Sequence, residues 1–226
     1  MGLFDVNGKK IKTPDYKPSF SVFNSFAVIG DSFAENGNPR KTSWSSILEK
    51  MTGVKSYNFA YGGMTTKTWL EDNEYGLAKM LESPPANLYI IALGINDGNA
   101  HMSIGTINDI ESDDTDSFYS YYGRIIRAVR SHAPNALIML STVARWRDIY
   151  NPYSDAIKNI GAYYDFAVFD LSKSAFFKSD FFANHQVSNH PVPIMRSAMA
   201  EEFKYLVEQE LEANIEKYKK YDNRDA

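Results

Sequence analysis

Ser32, Gly63, Asn96 and His190 are the residues whose types and positions suit acyl-transfer chemistry. A serine attacks an ester only if a base takes its proton and donors already in place receive the oxyanion. Ser32 lies in Gly30-Asp31-Ser32, directly after the apolar run Phe26 to Ile29, and Gly30 breaks that run where a turn needs an unhindered backbone. At such a strand exit the hydroxyl is exposed. A helix following it would aim backbone N–H groups at developing negative charge. The N–H groups of Ser32 and Gly63 and the side-chain amide of Asn96 are the candidate oxyanion donors. Alone, Asp31 and Ser32 fit an ordinary helix cap equally well. The catalytic reading rests on the later stretches.

The chain has four histidines from which to draw a base. His190 is the best placed, because Pro191 keeps the residue before it extended and a helix follows, so its ring can swing over the strand ends. His185 is the competitor. His101 lies in an acidic loop, and His132, at a helix end before Pro134, suits a C-terminal capping role.

Alternating strands and helices must position these residues. Phe26–Ile29, Ser56–Ala60, Asn87–Gly94, Leu137–Val143 and Phe166–Leu171 read as strands. The run Leu88 to Leu93 is apolar on both faces, as a central parallel strand should be. Ser43–Met51, a segment through Met80, Phe118–His132, Tyr153–Tyr164 and a stretch from Ile194 to Val207 read as helices; Thr115 or Asp116 could cap the third. This order predicts an α/β fold, a three-layer α/β/α sandwich around a flavodoxin-like, five-stranded parallel sheet. Ligands bind outside the carboxyl ends of such strands, where Ser32, Gly63 and Asn96 all fall. Residues 1–25 read as an irregular arm or small hairpin, 26–210 as the single domain, and 211–226 as a charged helix end, with fraying expected from Glu208.

Composition narrows the function. At 226 residues and 44% apolar content, one domain is expected. A net charge of −4 and the lack of a basic stripe argue against a nucleic-acid partner. Cysteine is absent, so disulfides and thiolate metal sites are excluded. No run is long enough to span a bilayer and no secretory signal is visible, so a soluble protein is expected, cytoplasmic or part of a phage or cell-surface assembly; composition leaves its oligomeric state open. The cluster Asp109, Glu111, Asp113, Asp114 and Asp116 lacks the order of a calcium loop and reads as solvated. Gly37 with Arg40-Lys41-Thr42 fails the spacing of a phosphate loop. Neither metal nor cofactor is expected.

Taken together, these stretches resemble the SGNH, or GDSL-type, hydrolases, over roughly residues 26–205. Gly30-Asp31-Ser32 matches the nucleophile block, Asn58 and Gly63 match the second, and Gly94-Ile95-Asn96-Asp97 matches Gly-x-Asn-Asp in full. The resemblance implies a metal-independent serine ester hydrolase, with substrates among lipid, acetylated-sugar and small aryl esters. In the fourth block that family usually has Asp-x-x-His, whereas this chain has Val187-Ser188-Asn189-His190. That aspartate would hold the imidazole tautomer. A backbone carbonyl of residues 185–189 could replace it, giving a Ser–His dyad, which is preferred here. Alternatively Asp180 or Asn184 reaches in, or the site is weak. The loop Gly98–Thr115 and the segment Phe176–Phe182 are expected to shape the acyl pocket. Asp31 and Asp97 are expected to brace loops. The competing functional class is a non-catalytic carbohydrate-binding module of a phage-tail or cell-surface assembly.

Overall fold

The computed structural model describes residues 18–36, 42–144 and 148–218. Most of the expected N-terminal arm, Gly37, Arg40 and Lys41 of the phosphate-loop comparison, and residues 219–226 lie outside them. At its inner end the arm packs on the domain. Phe20 is fully buried edge-on to Phe23 and Phe26, and its N–H donates to Glu208 Oε1 at 2.8 Å.

The chain then alternates. Strand β1 (Ser25–Gly30) precedes helix α1 (Trp44–Thr52), β2 (Lys55–Asn58), α2 (Thr66–Glu71), α3 (Leu77–Leu81) and β3 (Leu88–Ala92). Next come α4 (Ile95–Asn99), α5 (Phe118–His132), β4 (Leu137–Ser141), α6 (Asn151–Tyr164) and β5 (Ala167–Phe169). After β5 the chain forms α7 (Asp180–Asn184), a hairpin of β6 (Gln186–Val187) and β7 (His190–Pro191), α8 (Pro193–Ala213) and α9 (Ile215–Tyr218). The first five strands make one parallel sheet in the order β2-β1-β3-β4-β5. Helices cover both faces, giving the expected three-layer α/β/α sandwich with flavodoxin-like strand order. From β1 the chain goes outward to β2 and then crosses to β3 on the other side. The ends of β1 and β3 therefore flank the switch point where such sheets bind ligands.

Local chemistry explains most boundaries. Ser43 and Ser46 form a reciprocal capping box at the start of α1, and Gly53 ends it with a left-handed φ of 75°. Trp44 stacks on Phe203 of α8, ring centroids 4.2 Å apart, and joins the two helices on one face of the sheet. The segment through Met80 is two short helices, because Asp72 Oδ1 accepts from the N–H groups of Glu74 and Tyr75 and turns the chain between them. Helix α5 is capped by Ser117 rather than by Thr115 or Asp116.

One expectation fails and one gains detail. The acidic cluster is largely exposed, as expected, but its loop is latched to α5: Arg127 donates to the Ile110 carbonyl at 2.7 Å and pairs with Glu111 and Asp113, while Asp116 accepts from the Tyr121 hydroxyl. Gly123 permits this approach, since a Cβ there would lie 1.8 Å from the Ile110 oxygen. The expectation that fails is fraying from Glu208, which is not seen as far as Tyr218. Leu211 and Tyr218 are buried, and Lys217 pairs with Asp165 at 2.8 Å. Among the described residues no helix is long and apolar enough to cross a membrane.

Candidate active site

Ser32 follows the end of β1 in a single turn, with the N–H groups of Ala34 and Glu35 both donating to the Asp31 carbonyl at 3.0 Å. The Asp31 side chain accepts from the Phe33 N–H at 2.9 Å and so braces the turn. Gly30 lets the backbone pass close: a Cβ there would stand 3.0 Å from the Ala34 Cβ and 3.4 Å from the Ala92 carbonyl oxygen. Ser32 is thus presented by a turn alone within the described residues, without the helix that its sequence setting suggests.

Gly63 lies in the turn after β2, at φ 79°. Gly62 beside it has its Cβ direction 3.9 Å from the Ser32 Cβ, so this turn borders the serine. Asn58 anchors the approach, donating to the Ala34 carbonyl at 2.7 Å and accepting from the Ala60 N–H at 2.9 Å. The third candidate donor lies on α4, where Asn96 Nδ2 donates to the Met64 carbonyl at 3.0 Å and keeps its second hydrogen. Asp97, fully buried, accepts from the N–H and the hydroxyl of Thr66 at 2.9 and 2.6 Å. Burial pushes the Asp97 carboxyl above the ordinary carboxylate range. Asn96 and Asp97 thereby tie α4 to both ends of the stretch that follows Gly63. Among the described residues the N–H groups of Ser32 and Gly63 have no acceptor in place.

His190 reaches the serine from the other side of the chain. Its Nε2 lies 2.9 Å from Ser32 Oγ, and its Nδ1 lies 2.7 Å from the Ser188 carbonyl oxygen. A carbonyl only accepts, so Nδ1 carries the proton and Nε2 presents a lone pair to the serine hydroxyl. The β6–β7 hairpin makes this possible. Ser188 and Asn189 both have positive φ, 49° and 61°, the two-residue turn that matches strand twist. It folds the Ser188 carbonyl back under the ring. Phe33 packs beside the imidazole at 6.2 Å.

The other candidates are not brought here. His185 Nδ1 bonds the Phe181 carbonyl at 2.8 Å and its ring lies on Phe181 at 4.3 Å. Asp180 and Asn184, the suggested orienters, stand exposed at the two ends of α7, where Ser179 caps the helix, and neither contacts His190. Val187 pairs across the hairpin with His190 and is 67% exposed. Among the described residues no cluster of three or more His, Asp or Glu has metal-binding geometry.

A small apolar cavity of ≈ 30 Å³ lies beside the Ser32 turn, lined among others by Phe33, Ala34, Val143, Leu171, Phe177 and Phe203. Phe177 comes from the aromatic segment expected to shape an acyl pocket. The loop 98–115 contributes nothing to it, because its isoleucines pack towards the core instead.

Residues 28–192 match the model of the GDSL-like Lipase/Acylhydrolase family, about three quarters of the chain. The chain belongs to the GDSL-like lipase/acylhydrolase family. It is therefore classed as a carboxylic ester hydrolase, and the nucleophile, glycine and Gly-x-Asn-Asp blocks all fall within the match. No curated protein matches it. Among solved structures of similar fold, a protein from Lactobacillus plantarum is 18% identical, with a TM-score of 0.66 over 85% of this chain and 98% of its own. The lipase/acylhydrolase from Enterococcus faecalis is 16% identical, with a TM-score of 0.58 over 84% and 96%. An acetyl xylan esterase, AlAXEase, is 18% identical, with a TM-score of 0.58 over 81% and 99%. At such identities these likenesses concern the GDSL fold.

Sequence reasoning missed the ties that hold the site, Asn96 to Met64 and Asp97 to Thr66. It also missed the packing of Phe33 on His190. One weak signal was present: asparagine, as at position 189, tolerates the left-handed φ that a tight turn needs.

Proposed function

We propose that this GDSL-family protein is a serine esterase that works with a Ser32–His190 dyad and cleaves esters of short acyl groups. The observation that carries the reading is the His190 bridge, Nε2 to Ser32 Oγ at 2.9 Å and Nδ1 to the Ser188 carbonyl at 2.7 Å. In the first step Ser32 Oγ attacks the ester carbonyl carbon while Nε2 takes the hydroxyl proton. The carbonyl oxygen becomes an oxyanion, received by the N–H groups of Ser32 and Gly63 and the second Nδ2 hydrogen of Asn96. Collapse breaks the C–O bond to the alcohol, and the imidazolium gives its proton to the departing oxygen. Water then attacks the acyl-serine, Nε2 takes its proton, and the acid leaves as Ser32 regains its hydrogen.

The Ser188 carbonyl performs the orienting part of the usual aspartate's work, fixing tautomer and ring direction. As a neutral dipole it stabilises the imidazolium less than a carboxylate does. Activity below that of a full triad follows. The ≈ 30 Å³ cavity behind the Ser32 turn, on the scale of a water or two, has room for an acyl group no larger than acetyl. Hydrolysis of p-nitrophenyl acetate and p-nitrophenyl palmitate by wild type and Ser32→Ala tests this. The expected result is turnover of the acetate ester alone, abolished in Ser32→Ala. Faster cleavage of the long-chain ester would contradict the short-acyl assignment.

Val187, standing where a carboxylate belongs, favours one second reading, a non-catalytic carbohydrate-binding module of a phage-tail or cell-surface assembly. A module of that kind would bind its saccharide equally well after Ser32→Ala and turn over no ester before it.

A further inference from the structure

Two features at the rim of the site take no part in this chemistry. Tyr61, immediately before Gly62-Gly63, stacks on Tyr75 with ring centroids 3.8 Å apart and planes 18° apart, and it remains 38% exposed. Each ring covers one face of the other, so the pair presents one joint aromatic surface. Glu35, half-buried after the nucleophile turn, reaches under the same loop. A Cβ on Gly62 would stand 2.8 Å from Glu35 Oε2, closer than contact distance, and 3.9 Å from the Ser32 Cβ. Glycine at this position keeps the carboxylate, the bare turn and the nucleophile in one cleft. Among the described residues the Glu35 carboxylate accepts no hydrogen bond.

Sheet order separates these features from the apolar cavity. Tyr61 follows β2, on one side of β1, whereas the cavity draws on the segments after β4 and β5, on the other side. An ester lying across Ser32 has two ends. In the esterase reading the acyl end takes the cavity side, which leaves the Tyr61–Glu35 side for the alcohol. An exposed aromatic face beside a carboxylate with vacant acceptor sites suits a ligand with C–H faces and hydroxyl donors. A quaternary ammonium also favours aromatic faces and carboxylates. Arg196 opposes it here: its guanidinium, anchored by a bond to the Thr42 carbonyl, is attracted to Glu35 and offsets that charge. With the Glu35 charge partly offset, a neutral polyol is favoured over a cation.

We infer that Tyr61, supported by Tyr75, and Glu35 form the alcohol-side subsite of this esterase, and that the subsite takes a sugar ring, making acetylated saccharides the substrate class. The inference rests on the esterase reading. Tyr61 supplies a stacking surface to one ring face, and Glu35 accepts from ring hydroxyls.

The test compares kcat/KM for a peracetylated methyl xyloside, ethyl acetate and acetylcholine in the full chain, with wild type, Tyr61→Ala, Tyr61→Phe and Glu35→Gln. The readout is the ratio of sugar ester to ethyl acetate. Wild type is expected to prefer the sugar ester. That ratio should fall about tenfold in Tyr61→Ala and severalfold in Glu35→Gln, through KM rather than kcat, and Tyr61→Phe should retain it. An unchanged ratio in Tyr61→Ala and Glu35→Gln would overturn the inference, as would equal losses on both esters, which assign these residues to supporting the turn. Preference for acetylcholine, lost in Glu35→Gln, would replace the sugar with a cation. Turnover of ethyl acetate without turnover of the sugar ester sinks the subsite and leaves the esterase standing, whereas no turnover of any ester sinks the esterase reading itself.

Discussion

Replacing Val187 by aspartate would put a carboxylate where the family's triads have theirs, and the hairpin geometry allows its effect to be worked out. Val187 and His190 are directly paired across the β6–β7 turn, so their side chains leave the same face with Cβ atoms about 5 Å apart. An aspartate there can reach Nδ1. Its charge, about 4 Å from an imidazolium, is worth between about 1 and 4 kcal/mol as the effective dielectric falls from that of water to that of a protein surface. Position 187 is 67% exposed, which places the value at the lower end. The aspartate also displaces the Ser188 carbonyl, exchanging a neutral hydrogen bond for a charge-assisted one about twice as strong, a further route to a gain of about 1 kcal/mol. Val187→Asp should therefore raise kcat on p-nitrophenyl acetate roughly five- to tenfold. Val187→Asn, which brings a dipole but no charge, should not. A folded Val187→Asp protein with unchanged or lower kcat would refute the reasoning, because Ser188 would then already supply all that His190 needs.

Three further outcomes are expected. Asn96→Ala should lower kcat about 10²- to 10³-fold by removing an oxyanion donor, measured with p-nitrophenyl acetate; a loss under tenfold would remove Asn96 from that role. Burial raises the Asp97 carboxyl above the unfolded value of 3.8, so the folded state binds the proton more tightly. The stability linked to that proton is fully present below 3.8 and is lost as pH rises through the folded value. The melting temperature of wild type relative to Asp97→Asn should thus be most favourable near pH 3.5 and decline towards pH 7, and a flat difference would contradict the buried, strained carboxylate. Gly123→Ala should cost about 1–3 kcal/mol in urea unfolding, because its Cβ would strike the Ile110 carbonyl at 1.8 Å; a loss under 0.5 kcal/mol would show that the loop on α5 yields easily.

Much of this was legible in the sequence because the relevant interactions are local. Strand β3 is buried on both faces, so its apolar run is unbroken, and Gly30, Gly63 and Gly94 mark where the chain must turn at strand ends. Ser32 and His190 stand out for the same reason, one following a strand and the other preceding a proline and a helix. What escaped depends on contacts between distant segments. That the chain stays helical beyond Val207, through the end of α8 and into α9, is decided by Leu211 and Tyr218 finding the core, which helical spacing within a charged stretch does not announce. The latch of Arg127 on the acidic loop joins residues fourteen to seventeen apart in sequence. Asp180 and Asn184 looked able to orient His190 because they are near in sequence, but α7 and the hairpin carry them apart and leave a main-chain carbonyl at Nδ1. A backbone atom in a catalytic position leaves no residue type to recognise.

Covalent labelling is the most direct test of the Ser32–His190 dyad. The folded chain would be treated with a fluorophosphonate and the modified peptide located by mass spectrometry, for wild type, His190→Ala and Asp180→Ala. One label per chain on Ser32 is expected, slowed at least a hundredfold in His190→Ala and unchanged in Asp180→Ala. Absence of label in folded wild type, or equal labelling rates with and without His190, would contradict catalysis by this pair.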